Sequence, residues 1–180
     1  MDSGIIIETE RLILRAWNYS DISVLTEELN NLNVTKWLAN IPYPYSEDDA
    51  KSFIKYSLDN HLYNFAIVLK AENKVIGGTQ LSNIDKYNGT AGGGIWIAEP
   101  YWGNGYGKEA FNARIKYAFE ELGLRRLENG YFKGNEKSHK MQLSLGYRDE
   151  GIRREKFICK STGKVMDEYI TGLLKDEWIK

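Results

Sequence analysis

The sequence predicts a mixed α/β domain of α+β character, built around one central sheet. Three observations point there. Apolar runs of strand length alternate with stretches of helical spacing along all 180 residues. Two of those runs, "YNFAIVLK" and "KVIGGTQLSNI", are joined by the short polar turn "AENK", which is a hairpin signal. No repeat, low-complexity block or Pro/Gly/Ser linker divides the chain. Residues 1–180 therefore read as a single domain, long enough to bury its own core.

The elements follow in order. "RLILRAW", Arg11 to Trp17, reads as a strand, and "SDISVLTEELNN" as a helix with its N-cap at Ser20. In "YPYSEDDAKSFIKYSLDN", Ser46 and Asp49 resemble a capping pair, the shorter Asp replacing the usual Glu. Phe53, Ile54 and Tyr56 follow with helical spacing, and His61, at that helix's end, reads as a surface residue. The hairpin strands come next, then a third strand, "TAGGGIWIA". Its three consecutive glycines predict a bulge or a close approach of another backbone or ligand. The segment "EPYWGNGYGKEA" leads into an amphipathic helix. Phe111, Ile115, Phe119 and Leu122 share one face of it; Asn112, Lys116 and Glu120 share the other. "RRLENGYF" is a short strand, and "NEKSHKMQLSL" a helix capped by Asn135 and ended near Gly146. Two more strands, near Tyr147–Ile158 and Val165–Leu174, flank the turn "KSTGK". The order is β, α, α, three strands, α, β, α, β, β.

Composition excludes several classes. With 42% apolar and 27% charged residues the chain is an ordinary soluble globular protein. A net charge of −1 provides no field toward nucleic acid or an anionic bilayer, and no basic stripe supports a nucleic-acid adaptor. No apolar stretch approaches membrane-spanning length, and "GIII" near the start lacks the basic flank and cleavage site of a signal peptide. Cys159 is the sole cysteine, so no internal disulfide can form; within the apolar "FIC" run it reads as core. The expected location is the cytoplasm. No His, Cys and acidic residues share metal-ligand spacing, so no metal is expected.

The turn before the amphipathic helix carries the chemistry. Gly103, Gly105 and Gly107 sit where a strand becomes a helix, and a helix N-terminus offers unpaired N–H groups and a positive dipole end. Absent Cβ atoms let phosphate oxygens approach the backbone, and Lys108 adds a cation. The dinucleotide fingerprint G-x-G-x-x-G fails, because the third glycine arrives one residue early. The triphosphate loop G-x-x-x-x-G-K-S/T also fails: Trp102 occupies its first glycine position and Glu109 its hydroxyl position. On these residues alone, a phosphate site and a merely tight strand-to-helix turn both remain open.

Here the chain resembles the GNAT acyltransferases, whose signature Gln/Arg-x-x-Gly-x-Gly/Ala reads "WGNGYG" in this sequence, with Trp102 in the first position. That departure is usual in the branch that includes the N-acetyltransferases of ribosomal-protein termini (alanine or serine), whose members typically read "YWGKGYATEA". "ETERLILR" resembles that branch's opening strand. "NEKSHKMQLSLGYRDEGIRRE" resembles its "N-x-x-S … LGF … EG … R" block, and "DEYITGLLKDEW" its closing strand. The resemblance implies a GNAT-like acyl-CoA acyltransferase fold. That is a twisted mixed sheet of about seven strands and about four flanking helices, splayed between the fourth and fifth strands. Acetyl-coenzyme A (acetyl-CoA) is the implied cosubstrate, with its pantetheine arm in the gap. Amides near Trp96 and Ile97 would pair with that arm as an added strand does. The turn Trp102, Gly103, Asn104, Gly105, Tyr106, Gly107 and Lys108 would hold the pyrophosphate. Asn135 would contact the arm, a role compatible with capping its helix.

The implied reaction is attack of a neutral amine on the thioester. It needs a proton acceptor, a donor to the developing oxyanion and an acid for the thiolate. A backbone N–H near Ile97 suits the oxyanion. Many relatives supply the acid as a Tyr seven residues after the motif Asn; here that position is Gln142, which cannot donate a proton to a thiolate. The branch resembled uses a Ser three residues after the Asn, which makes Ser138 the candidate acid, with first-turn capping as its other role. Where relatives often read "E-x-G-Y-W", this chain has Gly92 at the Glu position. Glu155 in "GIRRE" is then the candidate base, and water-relayed deprotonation needs no residue. His139 and Lys140 are candidates for the 3′-phosphate or solvated positions, and Trp37, Tyr43 and Tyr45 for the acceptor pocket or the core. The acceptor is a protein N-terminus, which needs an open groove, or a small amine such as a polyamine, amino acid or aminoglycoside. A small cation favours a closed acidic pocket. The missing Tyr and Glu also motivate an alternative, an acyl-CoA-binding module without catalysis. The chain is expected to be a monomer or homodimer, with neither nucleic acid nor membrane as partner.

Overall fold

The computed structural model describes residues 4–60 and 63–179, so His61 lies outside the described residues. The chain opens with β1 (Ile6–Glu8) and β2 (Leu12–Ala16), followed by α1 (Ile22–Leu29), a single turn α2 (Leu32–Thr35) and α3 (Glu47–Asp59). Next come β3 (Asn64–Leu69), β4 (Lys74–Asp85), β5 (Thr90–Ile97) and α4 (Tyr106–Lys116), which runs on as a π turn to Glu121. β6 (Arg126–Phe132), α5 (Glu136–Leu143), β7 (Arg148–Ile158) and β8 (Val165–Leu174) complete it. Among the described residues the strands form one sheet in the order β1-β2-β3-β4-β5-β6-β8-β7. All pairs are antiparallel except β5–β6.

β3 shows why the centre of this sheet is stable. Its sequence is continuously apolar after Asn64, and every residue of it is buried. Ala66 and Val68 face a cluster with Trp17, Leu25, Leu29 and Ile54 under α1–α3. Phe65, Ile67 and Leu69 face Leu12, Leu14 and Ala110 under α4. Period-two alternation thus feeds two cores, one on each side. The face of α4 predicted to be apolar is buried at Phe111, Ile115 and Phe119, which pack with Leu127, Leu145 and Leu173. Cys159 is buried, as its apolar run implied.

Three expectations are revised. Among the described residues the sheet has eight strands, because Ile6–Glu8 adds to the edge of β2 at Ile6–Arg15 and Ile7–Leu14. The 3₁₀ turn Tyr19–Asp21 that leads into α1 is capped by Asn18 rather than Ser20. Asn18 Oδ1 accepts from Ser20 N–H at 2.9 Å, and Asp21 returns a bond to the Asn18 N–H at 3.0 Å. Arg15 holds that Asp21 carboxylate in a two-pronged pair at 2.7 and 2.9 Å, which sets the turn two residues earlier. The register through Gly92–Gly94 runs without a shift, so the bulge expected there is absent; the slip on this pair lies between Ser82 and Asp85. The Ser46–Asp49 capping box of α3 is present in both directions.

Candidate active site

β5 and β6 start side by side and then part. They pair only at Thr90–Arg126 and Ala91–Leu127. β6 nevertheless stays joined to β8 as far as Phe132–Glu168, and β5 to β4 as far as Ile97–Gly77. Each strand follows the twist of its other neighbour, so they diverge once their own pairing stops. The cleft between them has a volume of about 1230 Å³. This is the splay implied between the fourth and fifth strands, renumbered by the added β1.

Ladder parity decides which amides face the cleft. Ala98 N–H donates to Ile76 O at 2.8 Å, so every second residue of β5, Trp96 included, turns its backbone polar groups toward β4. Ile97 turns the other way, and its carbonyl accepts from Trp102 Nε1 at 2.6 Å. Of the two amides expected to be open, that of Ile97 faces the gap and that of Trp96 is committed opposite Gly78. Trp96 reaches the cleft through its indole.

At one mouth lies the glycine turn. Gly103 and Gly105 have φ of +82° and +80°, a region that costs a residue with a Cβ about 1–2 kcal/mol. Gly105 is the N-cap of α4 and no side chain caps it, so the first N–H groups of the helix are left for another acceptor. Lys108 is exposed beside them. The turn is braced from far away. Glu109 accepts from Thr9 Oγ1 at 2.6 Å, the Arg11 N–H at 2.9 Å and Arg11 Nε at 2.7 Å. Arg11 Nη1 also donates to Asn104 O at 3.0 Å, and its guanidinium lies 4.5 Å over the Tyr106 ring. Burial raises the Glu109 carboxyl's pKa, but these hydrogen bonds outweigh it and hold the group below its ordinary range. On the other side, Lys137 Nζ sits 4.8 Å over Trp102. Neither Thr9, Arg11 nor Lys137 was singled out in the sequence. The Glu109–Arg11 pairing joins positions 98 apart, beyond the reach of local pattern.

The glycines of β5 have a different cause. Arg114, only 1% exposed, rises from α4 and donates from Nη1 to Gln80 O and Gly94 O at 2.8 and 3.0 Å. Its guanidinium also lies 4.0 Å over Phe111. A Cβ at Gly93 would fall 2.2 Å from Gln80 O and 2.6 Å from that Nη1, so only glycine leaves room for the cation. Burial lowers the pKa of Arg114 and raises that of the adjacent Tyr147. Gly94 opens onto free space in the cleft. Close approach replaces the bulge.

α5 forms the next wall. Asn135 caps it, accepting from Ser138 N–H at 3.3 Å. Ser138 lines the cleft, and its Oγ accepts from Gln142 Nε2 at 2.9 Å rather than capping the helix. Gln142 is wholly buried, and its Oε1 accepts from Thr171 Oγ1. A hydroxyl that accepts here keeps its own hydrogen for another partner. Gln142, at the Tyr position of many relatives, thereby orients the serine's donor. His139 pairs with Asp149 at 3.0 Å and stacks on Tyr131, while Lys140 lines the cleft.

The far end is built of aromatic side chains: Trp17, Trp37, Phe53, Trp96, Phe132 and Phe157. Tyr45 is buried among the core residues of α1–α3 and lines the cleft, whereas Tyr43 is exposed. Glu168 also lines it. It stands opposite Phe132 and Arg153, and directly paired residues share a face. Thr171, three residues on, points instead to α5. Ser138 and Glu168 therefore approach the gap from opposite faces of the sheet. Glu168 Oε2 accepts from Arg153 Nη1 at 3.1 Å, while Oε1 lies against Gly130. Sequence reading missed Glu168, whose cleft-facing orientation depends on strand parity. The structure does not bring Glu155 here. It lies on β7 at φ +51°, beside a separate small groove with Lys133 and Asp167.

Among the described residues no group of three His, Cys, Asp or Glu could hold a metal ion, and no helix is long and apolar enough to cross a membrane. The family model described as an acetyltransferase (GNAT) domain matches residues 11–148. The p20 protein of Bacillus licheniformis, named as an N-acetyltransferase, is 32% identical over 173 residues, covering 94% of this chain and 96% of its own. Two solved structures share the fold. A ribosomal-protein-S5-alanine acetyltransferase from Vibrio fischeri superposes with a TM-score of 0.82 at 23% identity, covering 98% of this chain and 100% of its own. A spermidine N-acetyltransferase from Vibrio cholerae, solved with CoA and spermine, gives 0.80 at 24% identity, covering 94% and 98%.

Proposed function

The chain belongs to the GNAT family of acetyltransferases, and from that premise we propose that it moves the acetyl group of acetyl-CoA directly onto a primary amine within the β5–β6 cleft. One observation carries the proposal. A gap between parted strands has a helix N-terminus without a side-chain cap at its mouth and a serine hydroxyl on its wall. The residues fit the cosubstrate: main-chain donors and Lys108 suit linked phosphates, and the outward-facing Ile97 N–H suits an extended amide arm.

The amine nitrogen forms a bond to the acetyl carbon, the C–S bond breaks, and sulfur leaves with the electron pair. The Ile97 N–H faces the gap and supports the oxyanion that develops in between. Glu168 takes the amine's proton, and Ser138, oriented by Gln142, donates its hydrogen bond to the departing sulfur. Thiols have a pKa of about 8.5, so a weak donor suffices. The products are an N-acetylated amine and the thiolate of coenzyme A, which becomes the thiol as the proton held by Glu168 is passed back through solvent.

The test combines calorimetry with thiol-release kinetics. Acetyl-CoA is expected to bind wild type and Ser138→Ala equally, while kcat of the variant falls by about tenfold or more. Unchanged kcat removes Ser138 from the reaction. Absence of any binding heat with acetyl-CoA removes the cleft as its site.

A further inference from the structure

Resting on that reading, we infer that the acceptor is a small primary amine carried on an apolar or aromatic body, and that polyamines and peptide N-termini are poor acceptors. The first support is the aromatic wall: Trp37, Trp96, Phe132 and Phe157 line the cleft together with Glu168. Such surfaces recognise an aryl or branched alkyl group by area and shape.

The second support is charge. A polycation needs several free carboxylates, and this cleft offers few. Its lining holds four lysines against three glutamates, and no aspartate. Glu99 is occupied by Asn31 and Asn33 at 2.7 and 3.0 Å. Glu136 belongs to the first turn of α5, on the cosubstrate side. Glu168 alone stands on the aromatic side, and Arg153 already shares it. One amine can be served there; further ammonium groups would find no second free carboxylate on that side. The same apolar surroundings favour the neutral, nucleophilic form of a single amine, with Glu168 Oε1 available for its proton.

The third support is closure. The segment after α2 crosses to the opposite half of the molecule, where Lys160 N–H donates to Ala39 O at 3.0 Å. Cys159 Sγ lies 3.7–4.0 Å from the carbonyls of Thr35, Lys36 and Leu38. Trp37 on this crossing reaches Gly134 in the β6–α5 turn. A span fixed in this way bounds one side of the cleft and narrows the approach of a polypeptide.

The experiment measures thiol release by the purified full chain at saturating acetyl-CoA. The acceptors are 2-phenylethylamine, tryptamine, spermidine and a short peptide with an N-terminal alanine. The expected result is a kcat/KM for an arylalkylamine about tenfold or more above those of spermidine and the peptide. Trp37→Ala, and independently Phe157→Leu, should lower that value about tenfold through KM, with the Kd for acetyl-CoA unchanged. Spermidine or the peptide as the better acceptor overturns the inference and leaves acetyl transfer standing, as does turnover that neither variant alters. No thiol release from any of the four overturns the inference as well. Loss of acetyl-CoA binding itself overturns the underlying reading.

Discussion

The two ends of the cleft are made of different material. The mouth proposed for the cosubstrate is mostly main chain: left-handed glycines, uncapped N–H groups of α4 and the outward amide of Ile97. The end proposed for the acceptor is side chain: rings from the first helical region and the later strands, with one carboxylate. Main-chain recognition suits a ligand common to many enzymes, because it survives side-chain change and needs only that Cβ atoms stay away. Side-chain recognition suits what distinguishes one enzyme from another. Between them runs β5, which serves both.

The sharpest way to break this division is to damage β5 itself. Gly93→Ala drives a Cβ into Gln80 O and the guanidinium of Arg114, and is expected to cost about 3 kcal/mol of stability. Thermal unfolding measures this, and both ends of the cleft should fail together. An unchanged melting temperature would show that the buried cation can move aside. Glu168→Gln addresses the acceptor end alone. Amine kcat/KM should fall about tenfold or more, while calorimetry with acetyl-CoA reports the wild-type Kd. Weaker cosubstrate binding in this variant would blur the two ends into one.

Gly105→Val makes the complementary change. The left-handed position disfavours a β-branched residue, and acetyl-CoA affinity should drop about tenfold with little effect on amine KM. The smallest effect concerns the brace behind the turn. Glu109→Gln should lose about 1 kcal/mol at neutral pH. The Glu109 carboxyl titrates lower in the folded chain than in the unfolded one. Its contribution is therefore present above the unfolded pKa and is lost as pH falls through the folded one. Denaturation curves of the two proteins should draw together as pH falls from the ordinary glutamate value of about 4.3 toward and below the lower folded one. A constant difference across that range would mean the carboxylate's charge does not matter.

Much of the architecture is readable along the chain, because each signal is local. The hairpin around "AENK", the Ser46–Asp49 box and the buried stripe of α4 all rest on residues within a few positions of one another. Where local evidence misleads, a distant partner is responsible. Arg15 draws Asp21 into a turn that moves the first cap to Asn18. Arg114, far from Gly93 in sequence, explains a glycine run that reads as a bulge. In the site, Asn135 and Ser138 are visible through resemblance, but the chain from Thr171 through Gln142 to Ser138 joins β8 to α5, elements far apart in sequence. Glu155 and Glu168 look alike as acidic residues in late strands. They differ only in which way each faces and which strand lies beside it.

The sequence alone determined the alternation of elements, the glycine-opened helix entrance and the family resemblance, since backbone conformation and apolar period are written within short windows. Only the tertiary structure decided which amide of β5 faces the gap, what braces the entrance, and which late-strand carboxylate lines the cleft. Those depend on strand parity and on contacts between residues far apart in the chain, and folding alone brings such partners together.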